Sequence, residues 1–150
     1  MPASDASGHL AEQLLRLTRR LHRAQKRHLE PLGITPAQAR LLRALAQYDT
    51  RPPRMADLAA QLEVVPRAVT TLVDALEARD VVRRVPDPTN RRVIRIELTD
   101  TGRATLRALR RARRSAAEDI LEPLTEQERA QLGALLDTLT NCPRPAPGDE

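Results

Sequence analysis

The chain is poor in aromatic residues, with no Phe, no Trp and a single Tyr among its 150 residues. Its core must therefore be built from Leu, Val, Ile and Ala, and so thin a core in a small chain often needs oligomerisation. The single cysteine, Cys142, excludes an internal disulfide framework. No apolar run has membrane-spanning length, and Met1–Leu10 lacks the apolar segment of a signal peptide. These absences predict a cytoplasmic protein.

Charge is distributed unevenly along the chain, which has a net charge of +5. Residues 65–114 hold thirteen basic and six acidic side chains and are therefore the most basic segment, at +7. Residues 1–64 are at +4, whereas residues 115–150 are at −6. Basic side chains concentrated in one segment are typical of a surface that binds a polyanion such as DNA.

The hydrophobic period changes within residues 65–99, from a helical period to a strand-like one. The helical half predicts a helix over Pro66–Ala78 with one buried face. That face is formed by Val65, Val69, Leu72, Val73 and Leu76. Beyond a turn at Pro86–Asn90, Ile94, Ile96 and Leu98 alternate with Arg95 and Glu97. The alternation predicts a half-buried antiparallel strand, and a helix followed by such a ribbon is the outline of a winged helix.

Both predicted elements carry groups suited to DNA. The polar side of the helix carries Arg67, Ala68, Thr70 and Thr71. It is narrow enough to enter a major groove, and the ribbon tip carries Arg91 and Arg92, which suit an adjacent minor groove. Taken singly, the helix also fits an ordinary solvated amphipathic helix, and the ribbon also fits an ordinary charged hairpin. Together, in this order and in the most basic segment, they favour nucleic acid.

The residues before this helix predict a helix-turn-helix. Thr35 and Gln38 form a capping box around Pro36, so a helix begins there and stops before Asp49–Pro53. A short apolar helix over Met55–Leu62 and a turn at residues 63–65 follow. Residues 35–99 are therefore expected to form three helices and a hairpin.

Longer helices are predicted on both sides of this unit. The first runs from Leu10 to a stop near Glu30–Gly33, the second from its cap Thr99 to about Leu121. The last begins at a capping box of Thr125 and Glu128. The leucine stripe of the first helix has no partner in the preceding chain, so a second chain is the candidate.

The predicted fold is mainly α with a small antiparallel β-hairpin. We assign residues 35–103 to a winged helix-turn-helix lobe and residues 9–34 and 104–141 to N- and C-terminal dimerisation helices. Residues 1–8 are expected to be frayed, and residues 142–150 to form a disordered tail.

The sequence LAAQLEVVPRAVTTLVDALEARDVVRRVPDPTNRRVIRIELTDTG resembles the core of a MarR-type transcriptional regulator. The similarity covers roughly Leu10–Leu139. It implies a homodimer on a palindromic operator, in many members a repressor released by an aromatic acid, a phenol or cysteine oxidation. It also implies that Arg91 and Arg92 enter the minor groove. Arg67, Thr70 and Thr71 would serve the recognition helix.

Three residues depart from the family's pattern. Glu63 and Asp80 stand where Gly is common. Either the backbone at Glu63 needs positive φ, which would cost on the order of 1 kcal/mol, or the turn differs, whereas Asp tolerates such a conformation better. Asn90 replaces the usual wing Asp, which would position an arginine by an ion pair. These departures concern the rigidity of the wing.

Other types of site have weak signals. The histidines His9, His22 and His28 have no ligand partners at metal spacing, so no metal is expected. Cys142 is expected to be a passive thiol. Tyr48 either borders a ligand pocket or fills space beside the helix-turn-helix. No phosphate loop or catalytic motif is present, so the chain is predicted to be neither an enzyme nor a cofactor protein, although a small-molecule effector is compatible with it.

The sequence therefore predicts a homodimeric, sequence-specific DNA-binding regulator, most simply a repressor, with double-stranded DNA as its partner. A possible effector would bind between the dimerisation and DNA-binding regions. The alternatives are a non-specific architectural DNA-binding protein and a winged-helix module that binds proteins.

Overall fold

The computed structural model describes residues 3–48 and 50–142. Its helices are α1 Ala3–Leu29, α2 Pro36–Leu45, α3 Met55–Leu62, α4 Pro66–Ala78, α5 Asp100–Leu121 and α6 Glu126–Thr140. The strands β1 Val82–Pro86 and β2 Ile94–Leu98 form an antiparallel hairpin, and a 3₁₀ turn at Glu30–Leu32 joins α1 to α2. The predicted fold class is thus confirmed. None of the helices in these two ranges is both long and apolar enough to cross a membrane.

Aliphatic residues alone fill the core of the lobe, as the shortage of aromatics requires. The largest fully buried side chains are Leu41, Leu42, Leu58, Leu76, Ile96, Leu109, Val69, Val73 and Val82. They come from α2, α3, α4, both strands and α5, so the hairpin and the three short helices share one core. Fully burying such a side chain contributes roughly 1.5–3 kcal/mol.

Hydroxyl caps begin three of the helices where the sequence predicts them. The Oγ1 atoms of Thr35, Thr99 and Thr125 accept hydrogen bonds from the backbone N–H groups of Gln38, Gly102 and Glu128. At Gly102 a Cβ atom would lie 2.0 Å from the carbonyl oxygen of Val81. The first turn of α5 therefore packs directly on the backbone that enters β1, and only glycine fits there.

The expectation that Arg95 and Ile94 alternate as exposed and buried residues is wrong. Arg95 is 4% exposed, whereas Ile94 is 39% exposed. The reason is a third extended segment beside β2. Ile96 N–H donates to the Pro53 carbonyl at 2.9 Å, and the backbone of Arg54 forms an antiparallel β-bridge with that of Arg95. This segment pairs with the second edge of β2, and its Pro52 carbonyl accepts a hydrogen bond from Arg95.

The frame of α1 and α5 supports the lobe but leaves apolar surface uncovered. The second half of α1 packs on α5 through Ala24, which is fully buried. In the first half, Leu10, Leu14, Leu15 and Leu17 are 40–66% exposed. Helix α6 has no buried side chain, and its Leu135 and Leu139 are about two-thirds exposed.

The predicted fraying of residues 1–8 is wrong for residues 3–8, which belong to α1. Ala3 and Ala6 are strong helix formers, and the helix continues through Gly8. At the other end, residues 143–150 of the predicted disordered tail lie outside the described residues, and Cys142 is exposed.

Two non-glycine residues occupy the left-handed region of backbone conformation. Glu63 ends α3 at φ 55° and ψ 43°, and Asp80 follows α4 at φ 57°. Both are positions where the sequence comparison with the family expects Gly. The turn of the helix-turn-helix therefore holds a non-glycine residue, Glu63, in a strained backbone conformation.

Replacing Glu63 with Gly is expected to raise the free energy of unfolding by about 0.5–1 kcal/mol, because the Cβ strain at positive φ disappears. Chemical denaturation measures this gain. Glu63→Ala is the control: it removes the carboxylate but keeps the Cβ atom, so an equal gain in both variants would assign the effect to charge instead.

Candidate nucleic-acid interface

Helix α4 presents a small polar face opposite its buried one. Val69, Val73 and Leu76 are buried, while Arg67, Thr70 and Thr71 are exposed. Of the predicted site residues on this helix, only Ala68 is partly buried, so it borders the face instead of projecting from it. Thr70 and Thr71 donate their hydroxyls to the carbonyls of Pro66 and Arg67, at 3.2 Å each. Their oxygen atoms stay open as acceptors.

The hairpin loop carries Arg91 and Arg92 in solvent. Both side chains are exposed, and within the described residues neither guanidinium has a hydrogen-bond or ion-pair partner. Asn90 Oδ1 accepts from the backbone N–H of Arg92 at 3.2 Å, which fixes the loop next to these arginines. The two arginines are therefore available to an external anion.

A buried carboxylate, Asp87, organises this loop from below. It is 2% exposed, and its Oδ1 accepts from the N–H and hydroxyl of Thr89, at 2.8 and 2.6 Å. Its Oδ2 accepts from Arg95 Nε and from Arg51 Nη2, while Arg95 Nη1 donates to the Pro52 carbonyl at 2.6 Å. The hydrogen bonds from Thr89 and then from Arg95 hold the pKa of Asp87 far below its ordinary value.

The ion pair that positions the wing is thus provided by Asp87 and Arg95, and Asn90 contributes only a hydrogen bond. Sequence reasoning missed Asp87, Arg95 and Arg51 as positioning residues. A signal was present, because an Asp two residues before Thr89 in a proline-containing turn is typical of a side chain that accepts from its own loop.

Arg84 on β1 links the wing to α4. Its Nη1 donates to Glu77 at 2.6 Å, its Nη2 to Asp74 at 2.5 Å, and its backbone N–H to Glu77 at 2.9 Å. The backbone N–H and then the guanidinium of Arg84 lower the pKa of Glu77. These bonds tie the hairpin to α4.

Arg79, just past the end of α4, contacts the joint between α1 and α2. Its guanidinium donates to the carbonyls of Gly33 and Leu32, at 2.5 and 3.1 Å. Gly33 is in the left-handed conformation, and its backbone ends the 3₁₀ turn. The C-terminal end of α4 is therefore anchored to the segment that connects the frame to the lobe.

A short apolar helix, a tight turn, a helix with a polar face and a hairpin with two exposed arginines are the parts of a winged helix-turn-helix. The model of the MarR family matches residues 34–94. The HTH-type transcriptional repressor MdtR of Bacillus subtilis (strain 168) is 33% identical over 103 residues, which cover 69% of this chain and 65% of MdtR. The chain thus spans just under two thirds of that relative.

Solved structures agree with this class. The YusO protein of Bacillus subtilis superposes with a TM-score of 0.81 and 27% identity, covering 95% of this chain and 99% of YusO. The Mycobacterium tuberculosis MarR family protein Rv2887, solved in complex with DNA, has a TM-score of 0.69 and 28% identity, covering 87% and 96%. Residues 34–94 thus match the MarR family, and the fold of the chain is that of MarR-type winged-helix proteins.

Proposed function

We propose that the protein is a homodimeric, sequence-specific DNA-binding transcriptional regulator, acting as a repressor in the cytoplasm. The observation that carries the proposal is the pairing of an exposed polar face on α4 with two exposed arginines on a wing that Asp87 and Arg84 hold in place. Relatives support it: MdtR is a repressor, and Rv2887 was solved with DNA.

In this proposal each lobe reads one half of a palindromic operator. Arg67, Thr70 and Thr71 contact base edges or phosphates in the major groove, with Ala68 at the margin of the contact. Arg91 and Arg92 enter the flanking minor groove, where a narrow groove strengthens the attraction of a guanidinium. Lobe residues 35–103 thus read DNA, and no catalytic role is assigned to the chain.

Binding to operator DNA and to random duplex at one fixed salt concentration tests sequence specificity. The operator is obtained by footprinting the DNA that flanks the gene. A regulator is expected to prefer its operator by at least about 10³-fold. Equal affinities would instead support an architectural DNA-binding protein, and no binding to either duplex would support a protein-interaction module.

We propose that residues 9–34 and 104–141 form the dimer frame. The exposed leucines of the first half of α1 and of α6 support this assignment. Rows of exposed leucines on two helices are expected to be buried against a second copy of the chain. A two-fold dimer also supplies the two lobes that a palindrome requires.

Replacing Leu135 and Leu139 together with Glu is expected to convert the dimer to monomers at micromolar concentration, because an apolar interface cannot accommodate unpaired charges. Sedimentation velocity measures the change, with far-UV circular dichroism as a check on helix content. Ile94→Glu on the wing is the matched control for adding a charge at an exposed apolar residue. A double variant that sediments as a dimer would contradict the assignment.

An effector site between frame and lobe is a second proposal, supported by a cavity of about 380 Å³ among α1, α2 and α5. Arg40, Arg43 and Arg113 line it. Burial, and then the positive charges of Arg113 and Arg40, lower the pKa of Arg43. An anionic effector would relieve this repulsion. Salicylate is a suitable probe: it is expected to weaken operator binding by the natural chain and to have less effect on Arg113→Gln.

A further inference from the structure

A second cavity lies on the other side of the lobe, between the α2–α3 loop, β2 and the first half of α5. Its volume is about 620 Å³, within the range of small-molecule sites. Apolar side chains line much of it, among them Leu45, Leu98 and Leu106. Tyr48 stands at the loop side and also packs on the lobe core, so it fills space there as expected, and its role beside a ligand stays a prediction.

One wall of this cavity is a row of arginines on α5. Arg103, Arg107 and Arg110 follow one another at helical spacing, so they share one face of the helix. Arg103 is engaged, since it donates to Asp100 at 3.0 Å and to the Leu98 carbonyl at 3.2 Å. Arg83 on the opposite wall is paired with Glu97.

Arg107 and Arg110 differ from these two. Both are exposed, and neither has an acceptor among the described residues. Three residues apart on a helix, they are about 4.5 Å apart along its axis, and two like charges at that spacing repel each other. A pair of guanidinium groups with no acceptor among the described residues therefore faces a cavity whose lining is partly apolar.

We propose that this cavity binds an organic phosphate, that is, a dianionic phosphate group on an apolar body. A dianion neutralises both guanidinium groups, whereas a single carboxylate leaves one charge uncompensated, and arginine matches phosphate oxygens in bidentate geometry. The leucine-lined wall accounts for the apolar body. A DNA backbone is the less suitable occupant, because it has no apolar body to place against this wall.

The chain provides its own reporter for this site. Tyr48 lines the cavity and is the single aromatic residue of the sequence, so protein fluorescence reports on this location alone. Cyclohexyl phosphate is a suitable probe because it does not absorb with tyrosine. Inorganic phosphate, cyclohexanol and cyclohexanecarboxylate test the charge and the apolar body separately.

Titration of the full chain is expected to give saturable Tyr48 fluorescence changes with cyclohexyl phosphate, at least about tenfold tighter than with each of the other three probes. Arg107→Gln/Arg110→Gln is expected to weaken binding by at least about tenfold. The matched control is Arg111→Gln/Arg114→Gln, which removes two arginines of the same spacing from the same helix outside the cavity. Circular dichroism verifies that both variants fold.

Equal binding of cyclohexyl phosphate and inorganic phosphate, equal losses in the two double variants, or no saturable change would each overturn the proposal. Loss of operator affinity in Arg107→Gln/Arg110→Gln, with cyclohexyl phosphate binding unchanged, would overturn it in favour of a DNA contact. The proposal does not depend on the dimer or on operator binding, since each is measured separately.

Discussion

Replacing Arg91 and Arg92 together with alanine is expected to weaken operator binding by about 10- to 100-fold. Both guanidinium groups lie exposed on the wing loop and bear charge that an external phosphate can neutralise. In the proposed dimer each subunit loses two phosphate contacts, so the slope of log K against log salt should also fall by about 3.6. Fluorescence anisotropy at several salt concentrations measures both quantities.

The control for this prediction is Arg111→Ala/Arg114→Ala on α5, which changes the net charge equally and leaves the wing intact. It is expected to retain most of the operator affinity. An unchanged salt slope in the wing variant, or equal losses in the two variants, would contradict a specific role for the wing.

Replacing Asp87 with Asn is expected to lower the melting temperature by about 10 °C. The substitution preserves shape but removes the charge that faces Arg95, whose side chain is 5% exposed. A buried guanidinium without its counter-ion is strongly destabilising. Operator affinity should fall as well, because the wing loop loses the acceptor that organises it.

A double-mutant cycle separates the ion pair from other effects. Asp87→Asn/Arg95→Met removes both charges and is expected to lose less stability than Asp87→Asn alone. Asp100→Asn is the control, because that side chain is fully exposed and should change the melting temperature little. A double variant less stable than the single one would contradict the role of the pair.

Asp87 also gives stability a defined pH dependence. Its pKa in the folded chain is lowered by hydrogen bonds from Thr89 and Arg95, so the unfolded chain takes up the proton first as the pH falls. The stabilisation is complete above the unfolded carboxyl pKa of about 4 and decreases below it. The difference in melting temperature between the natural chain and Asp87→Asn should therefore shrink below about pH 4.

Local signals were sufficient to predict most of the fold. The bounds of α4 and α5 follow from Pro66, from the Thr99 cap and from the spacing of their apolar residues, and the structure has the same bounds. These signals are short-range: a cap involves residues within one turn, and a helical stripe involves one face. For Glu63 the resemblance to the family leaves two outcomes open, strain at positive φ or a different turn, and the structure has the positive φ.

What the sequence did not predict depends on residues distant along the chain. An alternating pattern predicts that a charged residue such as Arg95 faces solvent. Arg95 is buried instead, because it donates to the Pro52 carbonyl, 43 residues earlier in a loop, and to the Asp87 carboxylate, 8 residues earlier in a turn. The cavity beside Tyr48 likewise combines residues of α2, the following loop, both strands and α5. Polarity patterns record which side chains prefer water and do not record which ones find partners.

The bond from Arg79 to the Gly33 and Leu32 carbonyls has a mechanical consequence. Helix α4 is about 20 Å long and is held at its C-terminal end by the joint between frame and lobe. A ten-degree rotation of the lobe about that joint would displace the N-terminal end of α4, with Arg67, by roughly 3 Å. That distance is a full hydrogen-bond length, so a small change of angle in the frame is enough to disengage the helix from a base edge.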